Sequence, residues 1–337
     1  LKGGIVERNS MDINQIAQMA GVSRATVSRY FNNGYVSQEK REIIAKVIEK
    51  TGYAPSQQAK TLRTGKTNVV GVIIPKINST SISRIVAGIS QVVNDAGYQV
   101  LLANTANDAA REVEFLKLFQ QSNQVDGAIL VATMFSPEHY RAMDALRAPL
   151  VIVDQITPDR PCVYQDDLGA VRTITGHILK TSSNPAYIGV DEDDVSAGQM
   201  RREGFLAACE QAGIQVPLDH ITVGDFSIEA GYDCTEQLLD ADPTIDAIVC
   251  ATDTIACGAL TCLRDRGLSV PGDVQVTGIG DGDLSQIVDP PLTTIHHHYK
   301  STGIEAAKML LGFMSKDAGA VREVKMGFDL VERKSTR

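Results

Sequence analysis

A basic stretch near the start of the chain carries side chains that can read DNA. Residues 12–32 read DINQIAQMAGVSRATVSRYFN, two helical patterns separated by a glycine turn. Ser23 can cap the second helix. Arg24, Ala25 and Arg29 lie on the polar face of that helix. Arginine forms two parallel hydrogen bonds with guanine in the major groove, and small residues let the helix backbone come close. The stretch therefore predicts a helix-turn-helix with its second helix in the major groove.

The charge of the chain is divided unevenly, in a way that supports this reading. Residues 1–66 contain 11 Lys and Arg against 5 Asp and Glu, a net charge of +6. The chain as a whole has a net charge of −9, so the remaining residues carry −15. A basic head on an acidic body suits a protein that touches phosphate with one end only.

The helices that must position these side chains are predicted to form a three-helix head. The third helix follows Ser37, a suitable N-cap, and ends at Gly52. Its apolar residues are expected to face inward: Ile43, Ile44, Val47 and Ile48. Residues 53–66 read as a linker with a short helix from Pro55, which is too short to be stable alone and would form against DNA and a second copy. A three-helix domain without a DNA function is the alternative, but the basic turn then serves no purpose in the core.

The pattern changes at Val69 to an alternation of strands and helices. Strands are predicted at 69–75, 99–103, 127–131, 150–153, 186–190, 220–223, 247–250 and 275–278. Helices are predicted up to residue 97 and at 109–121, 137–146, 168–181, 200–212, 228–239 and 253–266. This alternation predicts α/β architecture with two doubly wound parallel-sheet lobes, and a ligand site between the lobes beyond the carboxyl ends of the strands.

Several kinds of chemistry are not expected. The chain has no GxGxxG after the first strand, no GxxxxGK[ST] and no GxSxG, so we predict neither an enzyme nor a cofactor. His296, His297 and His298 would alternate across a strand, so we predict no metal site. The six cysteines include no CxxC pair and are expected to be buried free thiols. No apolar run approaches a membrane span and the first ten residues lack a signal sequence, so we expect a cytoplasmic protein that does not bind membranes.

Taken together, these segments resemble the LacI/GalR family of bacterial transcription regulators. The resemblance covers nearly the whole chain from Met11. Besides the helix-turn-helix, it is carried by the segments GYAPSQQAKTLRTGKT, VVGVIIP, RREGF, ATDTIACGAL, PPLTTIHHH and FDLVERKST. The segment GIGDGDLS and the residues from PPLTTIHHHYK onward look most like sucrose-operon repressors of Gram-positive bacteria. The resemblance implies a helix-turn-helix head, a hinge helix, two lobes like those of periplasmic binding proteins, and a homodimer on a near-palindromic operator.

The resemblance also implies which residues touch double-stranded operator DNA. Arg24, Ala25 and Arg29 would read bases. Four polar residues would mostly meet phosphates, namely Ser23, Thr26, Ser28 and Asn32. The hinge helix would enter the minor groove with Ser56, Ala59 and Leu62, and Leu62 would part a base step. Two alternatives remain: Leu62 as an ordinary contact between helices, and Arg29 as one partner of a structural salt bridge.

For the effector, the resemblance implies a sugar or sugar phosphate bound between the lobes. The implied contacts are Asp154, Arg201, Phe226, Thr252, Asp253, Asp281 and His297. The family commonly has Asn where this chain has Thr252, and an acid where it has Gly280, so Asp281 or Asp283 would take over that position. For Asp253 the alternative is a helix N-cap. We expect a repressor released by sucrose or a related fructose-containing sugar. An exported sugar receptor or a sugar-processing enzyme on the same scaffold is the other possibility.

The expected domains follow from these segments. Residues 1–10 are a disordered leader or a cloning remnant. Residues 11–54 form the DNA-binding domain and residues 55–67 the hinge helix and linker. Residues 68–337 form the effector-binding and dimerisation domain, with one lobe of 68–166 and 297–324 and a second lobe of 167–296 and 325–337.

Overall fold

The chain consists of two compact units that divide between residues 67 and 68. The computed structural model describes residues 11–53, 66–122, 124–157, 159–315 and 323–337. The expected leader at 1–10 and the hinge residues Ser56, Ala59 and Leu62 lie outside these described residues.

The first unit contains three short helices around a small apolar core. They are α1 (Ile13–Met19), α2 (Arg24–Phe31) and α3 (Gln38–Thr51). Asp12 and Gln15 form a reciprocal capping box at the start of α1. The core is formed by Ile16, Val27 and Ile44, all fully buried. Ile43, which was expected to face inward, is 39% exposed, because α3 turns Ile44, Val47 and Ile48 toward the core instead.

The second unit begins with one series of alternating strands and helices. The elements are β1 (Val69–Ile74), α4 (Thr80–Asp95), β2 (Gln99–Asn104), α5 (Ala109–Ser122), β3 (Gly127–Val131), α6 (Pro137–Ala145), β4 (Leu150–Val153) and β5 (Cys162–Gln165). β1 and β3 are almost entirely buried, as the central strands of a sheet covered on both faces must be.

A second series of the same kind follows. Its elements are α7 (Asp167–Ile178), β6 (Pro185–Gly189), a π-helix (Val195–Met200), α8 (Arg201–Gln211), a 3-10 helix (Leu218–His220), β7 (Ile221–Val223), α9 (Ile228–Ala241), β8 (Ala247–Cys250), α10 (Asp253–Asp265), β9 (Gln275–Ile279), α11 (Asp283–Ile287) and β10 (Thr293–His297). The chain then continues with α12 (Tyr299–Ser315), β11 (Glu323–Met326) and β12 (Phe328–Val331).

These strands form two six-stranded sheets within the described part of the chain. The orders are β11-β5-β4-β3-β1-β2 and β12-β10-β9-β8-β6-β7. Neighbouring strands are parallel, except that β12 runs antiparallel to β10. The second unit therefore has the expected architecture of two doubly wound α/β lobes, and the first unit is the expected helical head.

The chain passes three times between the two sheets. It crosses after β5, after β10 and at Gly327 between β11 and β12. β10 pairs through His297 and β11 pairs through Met326, so the sheets separate slightly later than the expected limits at residues 296 and 324. His297 stays in the second sheet because it pairs with Phe328 of β12, and β11 extends the first sheet to Met326 because it pairs with β5, a strand too short to stand out in the sequence.

Close packing of two helices stabilises the first lobe. An ideal Cβ on Gly88 of α4 would lie 2.1 Å from the carbonyl oxygen of Lys300, and one on Gly303 of α12 would lie 2.0 Å from that of Ile85. The two backbones approach this closely only because both positions are glycine.

The six cysteines are buried free thiols: Cys162, Cys209, Cys234, Cys250, Cys257 and Cys262. Across the described residues, every helix is too short or too polar to cross a bilayer.

Candidate ligand cleft and DNA-reading helix

A cavity of about 580 Å³ lies between the two lobes. The first lobe lines it with residues that follow its parallel strands, at 75–76, 78–82, 107, 132–133 and 154–155. The second lobe contributes residues 252–254 after β8 and residues 279–280 and 282–284 around the end of β9. Both sheets thus point their carboxyl ends at one space, the position at which α/β folds bind ligands. The volume falls within the range of small-molecule sites.

Arg201 lies at the floor of this cleft. It is the first residue of α8, directly after the π-helix, an element often found at functional sites. Its Nε donates to Asp167 Oδ1 at 2.7 Å, and its Nη1 donates to the carbonyl oxygen of Ala251 at 2.6 Å. Nη2 makes no hydrogen bond to any described residue, so this nitrogen remains available to a ligand.

Asp154 lies on the first-lobe side of the floor. It follows β4 with a φ of 67°, a conformation that costs energy for a residue other than glycine and that often occurs at functional sites. Burial, and next the negative charge of Asp167, raise the pKa of Asp154 to about 7. Ser196 Oγ donates to the carbonyl oxygen of Asp154 and so joins the two lobes.

Gln155 makes a second connection between the lobes. Its Nε2 donates to the carbonyl oxygen of Thr133 in its own lobe at 2.6 Å and to Asp194 Oδ1 in the other lobe at 2.8 Å. Asp194 also accepts from the amide of Ala197 at 3.0 Å and caps the π-helix. Burial raises the pKa of Asp194. The end of β4 is therefore attached to the helix that leads into Arg201.

The second-lobe wall contains three more predicted residues. Phe226 is 40% exposed and lines the cavity. Thr252 caps α10 by accepting from the amide of Ile255 at 3.2 Å, so the alternative role of Asp253 as the N-cap is wrong. Asp253 instead accepts from the amide of Gly282 at 2.8 Å and from Thr294 Oγ1 at 2.5 Å. Burial raises the pKa of Asp253.

Two predicted contacts do not reach the cavity surface. Asp281 is held by His296 Nδ1 at 2.9 Å and by Arg333 Nη2. Burial tends to raise the pKa of Asp281, but these hydrogen bonds outweigh it and leave the pKa below its ordinary value. His297 is 1% exposed and lies behind Asp167, and burial lowers its pKa to about 4. Asp283, the other acid proposed to replace the one missing at Gly280, does line the cavity.

The structure adds lining residues that the sequence did not suggest. They are polar or aromatic and include Gln155, Gln165, Asp167, Asp194, Ser196 and Tyr299. Gln165 and Asp167 follow from the position of β5, which the sequence pattern did not reveal. Asp194 caps the π-helix and Ser196 lies within it, and the sequence offers no periodic signal for this element.

An ion pair at the edge of the cleft links the lobes on another side. Arg84 of α4 donates from Nη1 to the carbonyl oxygen of Asp281 at 3.0 Å. Its Nη2 lies 3.5 Å from Asp283 Oδ1. An ideal Cβ on Gly282 would be 3.9 Å from Thr80 Cγ2, so the two lobes are in contact at this edge.

In the first unit, the predicted base-reading residues form an open surface of α2. Arg24, Ala25 and Arg29 are exposed, as are Ser23 and Asn32, while Thr26 and Ser28 are partly buried. Ser23 caps α2 by accepting from the amide of Thr26 at 3.2 Å. Arg29 forms no ion pair with any residue that the structure describes, so the alternative of a structural salt bridge has no support there.

A helix-turn-helix unit combined with a two-lobed α/β unit around a ligand-sized cleft defines a class of ligand-regulated DNA-binding proteins. Residues 12–56 match the family described as bacterial regulatory proteins, lacI family, and residues 182–336 match the periplasmic binding protein-like domain. The sucrose operon repressor of Staphylococcus xylosus is 31% identical over 300 residues, covering 89% of this chain and 92% of that protein. The chain belongs to the LacI family of bacterial regulators. It is a DNA-binding transcriptional regulator, and its relatives are regulators and repressors rather than enzymes.

Other relatives are similar over almost the full length. The ribose operon repressor of Bacillus subtilis is 30% identical over 326 residues, covering 96% of this chain and 98% of that protein. A solved complex of the transcriptional regulator CelR with cellobiose has a TM-score of 0.75 and 25% identity, covering 96% of this chain and 99% of that chain. The lac repressor dimer bound to operator and an anti-inducer has a TM-score of 0.88 at 23% identity, covering 97% of this chain and 99% of that chain. At this identity the similarity is one of fold.

Proposed function

We propose that this regulator is an operator-binding repressor that a sugar releases from DNA. The observation that carries the proposal is the cleft floor, where the free nitrogen of Arg201 and the carboxylate of Asp154 line one cavity. A guanidinium and a carboxylate together provide donors and acceptors for neighbouring hydroxyl groups. Phe226 and Tyr299 add aromatic surface to the same cavity.

The effector class is supported by the names of the relatives. These name sucrose and ribose operons, and one solved relative is a cellobiose complex. Sucrose or a related fructose-containing sugar is our first candidate. We assign effector contact to those predicted residues that also line the cavity. They are Asp154, Arg201, Phe226, Thr252 and Asp253.

We assign the DNA contacts to α2 and to the hinge. Arg24, Ala25 and Arg29 would read bases in the major groove, with phosphate contacts from Ser23, Thr26, Ser28 and Asn32. The hinge residues Ser56, Ala59 and Leu62 would enter the minor groove. A homodimer would place two copies on a near-palindromic site. The protein would act in the cytoplasm, where the operator is.

Release would proceed by a shift between lobe arrangements. Sugar that binds one arrangement more tightly favours it, and DNA affinity changes by the same coupling energy. Couplings of this kind are usually about 1–3 kcal/mol, or roughly 5- to 150-fold in operator affinity.

Fluorescence anisotropy of the full chain tests this function. An operator is first selected from random DNA with the full-length protein, and its affinity is then measured with sucrose, fructose, ribose, cellobiose and their phosphates. At least one sugar is expected to weaken binding by roughly fivefold or more. An affinity that none of these compounds changes would contradict the proposal. Arg29→Ala, which should bind the operator more weakly while keeping its sugar affinity, is the control for specific binding.

A further inference from the structure

The cleft floor holds more carboxylates than cations. Asp154, Asp167 and Asp194 all interact electrostatically with the buried guanidinium of Arg201. Arg201 gives its Nε hydrogen bond to Asp167. His297 supplies no charge, because burial lowers its pKa to about 4. Two of the three carboxylates are therefore left without a cationic hydrogen-bond partner among the described residues.

These two carboxylates differ in how the protein stabilises them. Asp194 accepts hydrogen bonds from the amide of Ala197 and from Gln155 Nε2. Asp154 Oδ1 is buried and has no hydrogen-bond partner among the described residues. Its neighbours on the surrounding elements are Asp167 of α7, Arg201 of α8, Asp194 before the π-helix, Gln165 of β5 and Tyr299 of α12. Hydrogen bonding by Gln165 and the charge of Arg201 lower the pKa of Asp154 only in part, because burial and the charge of Asp167 raise it further. Asp154 is therefore the acid of the cluster whose negative charge is least supported.

We propose that a sugar entering the cleft releases a proton from this cluster, and that Asp154 is the group that loses it. The inference rests on the proposed function, because it takes a hydroxyl-rich sugar as the ligand. It goes further in coupling effector binding to pH through a single carboxyl group.

The direction of the coupling follows from hydrogen bonding. In the free protein, burial and the nearby charge of Asp167 raise the pKa of Asp154 to about 7, so a fraction of these carboxyl groups carries a proton near neutral pH. A sugar hydroxyl that donates to the carboxylate favours its charged form and lowers that pKa. Loss of water on binding adds little to oppose this, because Oδ1 is already out of contact with solvent. Binding therefore favours the deprotonated group.

Linkage gives the pH dependence. A group whose pKa falls when ligand binds makes the ligand bind more tightly as pH rises. Below pH 7 the ligand must first displace the proton, so the affinity for sugar should fall about tenfold between pH 8 and pH 6. An acidified cell would therefore need more sugar to release the operator.

Calorimetry of the full chain tests this directly. Sucrose, fructose, ribose and cellobiose are titrated at pH 7 in phosphate and in Tris buffer, which differ in their heats of ionisation. The difference in heat should correspond to a net release of protons, at most one per bound sugar, and this release should shrink as the pH is raised to 8. Asp154→Asn keeps the shape of the side chain and should release none. Asp219→Asn, which removes an exposed carboxylate of the 3-10 helix, should leave the release unchanged.

Each outcome decides between the proposals. Sugar binding with equal heats in both buffers overturns the proton coupling and leaves the sugar function intact. No binding of any sugar overturns the sugar function and the coupling with it. Full proton release from Asp154→Asn overturns the assignment to Asp154.

A second measurement covers the case in which Asp154→Asn binds no sugar. An acid whose pKa is higher in the folded protein than in the unfolded chain stabilises the fold at low pH, and this stability is lost as pH rises through the folded pKa. The unfolding free energy of the wild type should therefore fall relative to that of Asp154→Asn between about pH 5 and pH 7. Parallel curves would overturn the inference.

Discussion

The guanidinium of Arg201 and the carboxylate of Asp167 lie 2.7 Å apart beneath the cleft, and both side chains are buried. Asp167 begins α7, where the chain has just left the first sheet, and Arg201 begins the helix that follows the π-helix. The ion pair with Asp167 therefore holds the guanidinium of Arg201 in place at the floor of the cleft between the two lobes.

Loss of Arg201 should affect stability as well as the sugar response. Arg201→Ala leaves Asp167 buried without its partner, which typically costs about 3–5 kcal/mol. Urea unfolding should show this loss, and Arg201→Met combined with Asp167→Asn should recover much of it. The neighbouring Arg202→Ala is the control, because Arg202 makes a partly exposed ion pair with Glu192 that contributes about 1 kcal/mol or less. Equal losses for Arg201→Ala and Arg202→Ala would mean that the buried pair does not stabilise the fold.

Removal of Arg84 should weaken the contact between the two lobes at the edge of the cleft. Its bond to the Asp281 carbonyl contributes most, because Asp283 is 93% exposed and its ion pair is screened by solvent. Arg84→Ala should release bound sugar about fivefold faster, corresponding to about 1 kcal/mol, in stopped-flow measurements. Arg111→Ala, which breaks an exposed ion pair with Asp108 at the start of α5, should leave the rate unchanged. If the two variants behave alike, Arg84 does not hold the lobes together.

A methyl group at Gly88 should separate α4 from α12. Its Cβ would lie 2.1 Å from a carbonyl oxygen, so the helices must move apart at a cost of about 1–3 kcal/mol or more. Gly312→Ala in the same helix pair is the control, because nothing lies within 4 Å of its Cβ. That change should be neutral or stabilise by about 0.5–1 kcal/mol. Comparable unfolding midpoints for the two variants would argue against tight packing of α4 on α12.

Arg29 should contribute directly to operator recognition. Loss of a side chain that bonds guanine typically costs about 1–3 kcal/mol, so Arg29→Ala should weaken operator binding roughly 5- to 150-fold and relax its base preference. Operator affinity of the wild type should also fall steeply with salt, because the basic head displaces counterions. Arg264→Ala, an exposed arginine of the second unit, should bind the operator as the wild type does. A variant at Arg29 that keeps both affinity and base preference would remove this residue from the recognition surface.

The sequence predicted the elements with strong periodicity and missed those without it. β1 and β3 are apolar runs, and Ser23 caps α2 as predicted, so these features were recognisable from the local pattern of residues. β5 has only four residues of mixed character, and it becomes recognisable as a strand only through its pairing with β4 and with the distant β11 at residues 323–326. Such pairing is a tertiary effect that local patterns do not contain.

The residues of the ligand cleft were also predicted only in part. Residues placed by strand ends and helix starts, such as Asp154 and Asp253, line the cavity. His297 and Asp281 do not, because other side chains determine their position: His297 packs behind Asp167, and Asp281 bonds to Arg333 far along the chain. Whether a polar residue faces a ligand or a buried partner depends on the partner, and one sequence does not reveal that.

The burial of every cysteine has a practical consequence for measuring how the chain unfolds. Reagents that attack thiols should leave the native surface unmodified and react only when a region opens. Cys162 lies in the sheet of the first lobe, whereas Cys209, Cys234, Cys250, Cys257 and Cys262 belong to the second. The rate at which mass labels appear at Cys162 and at the other five positions would therefore report separately on the opening of each lobe, without any engineered probe.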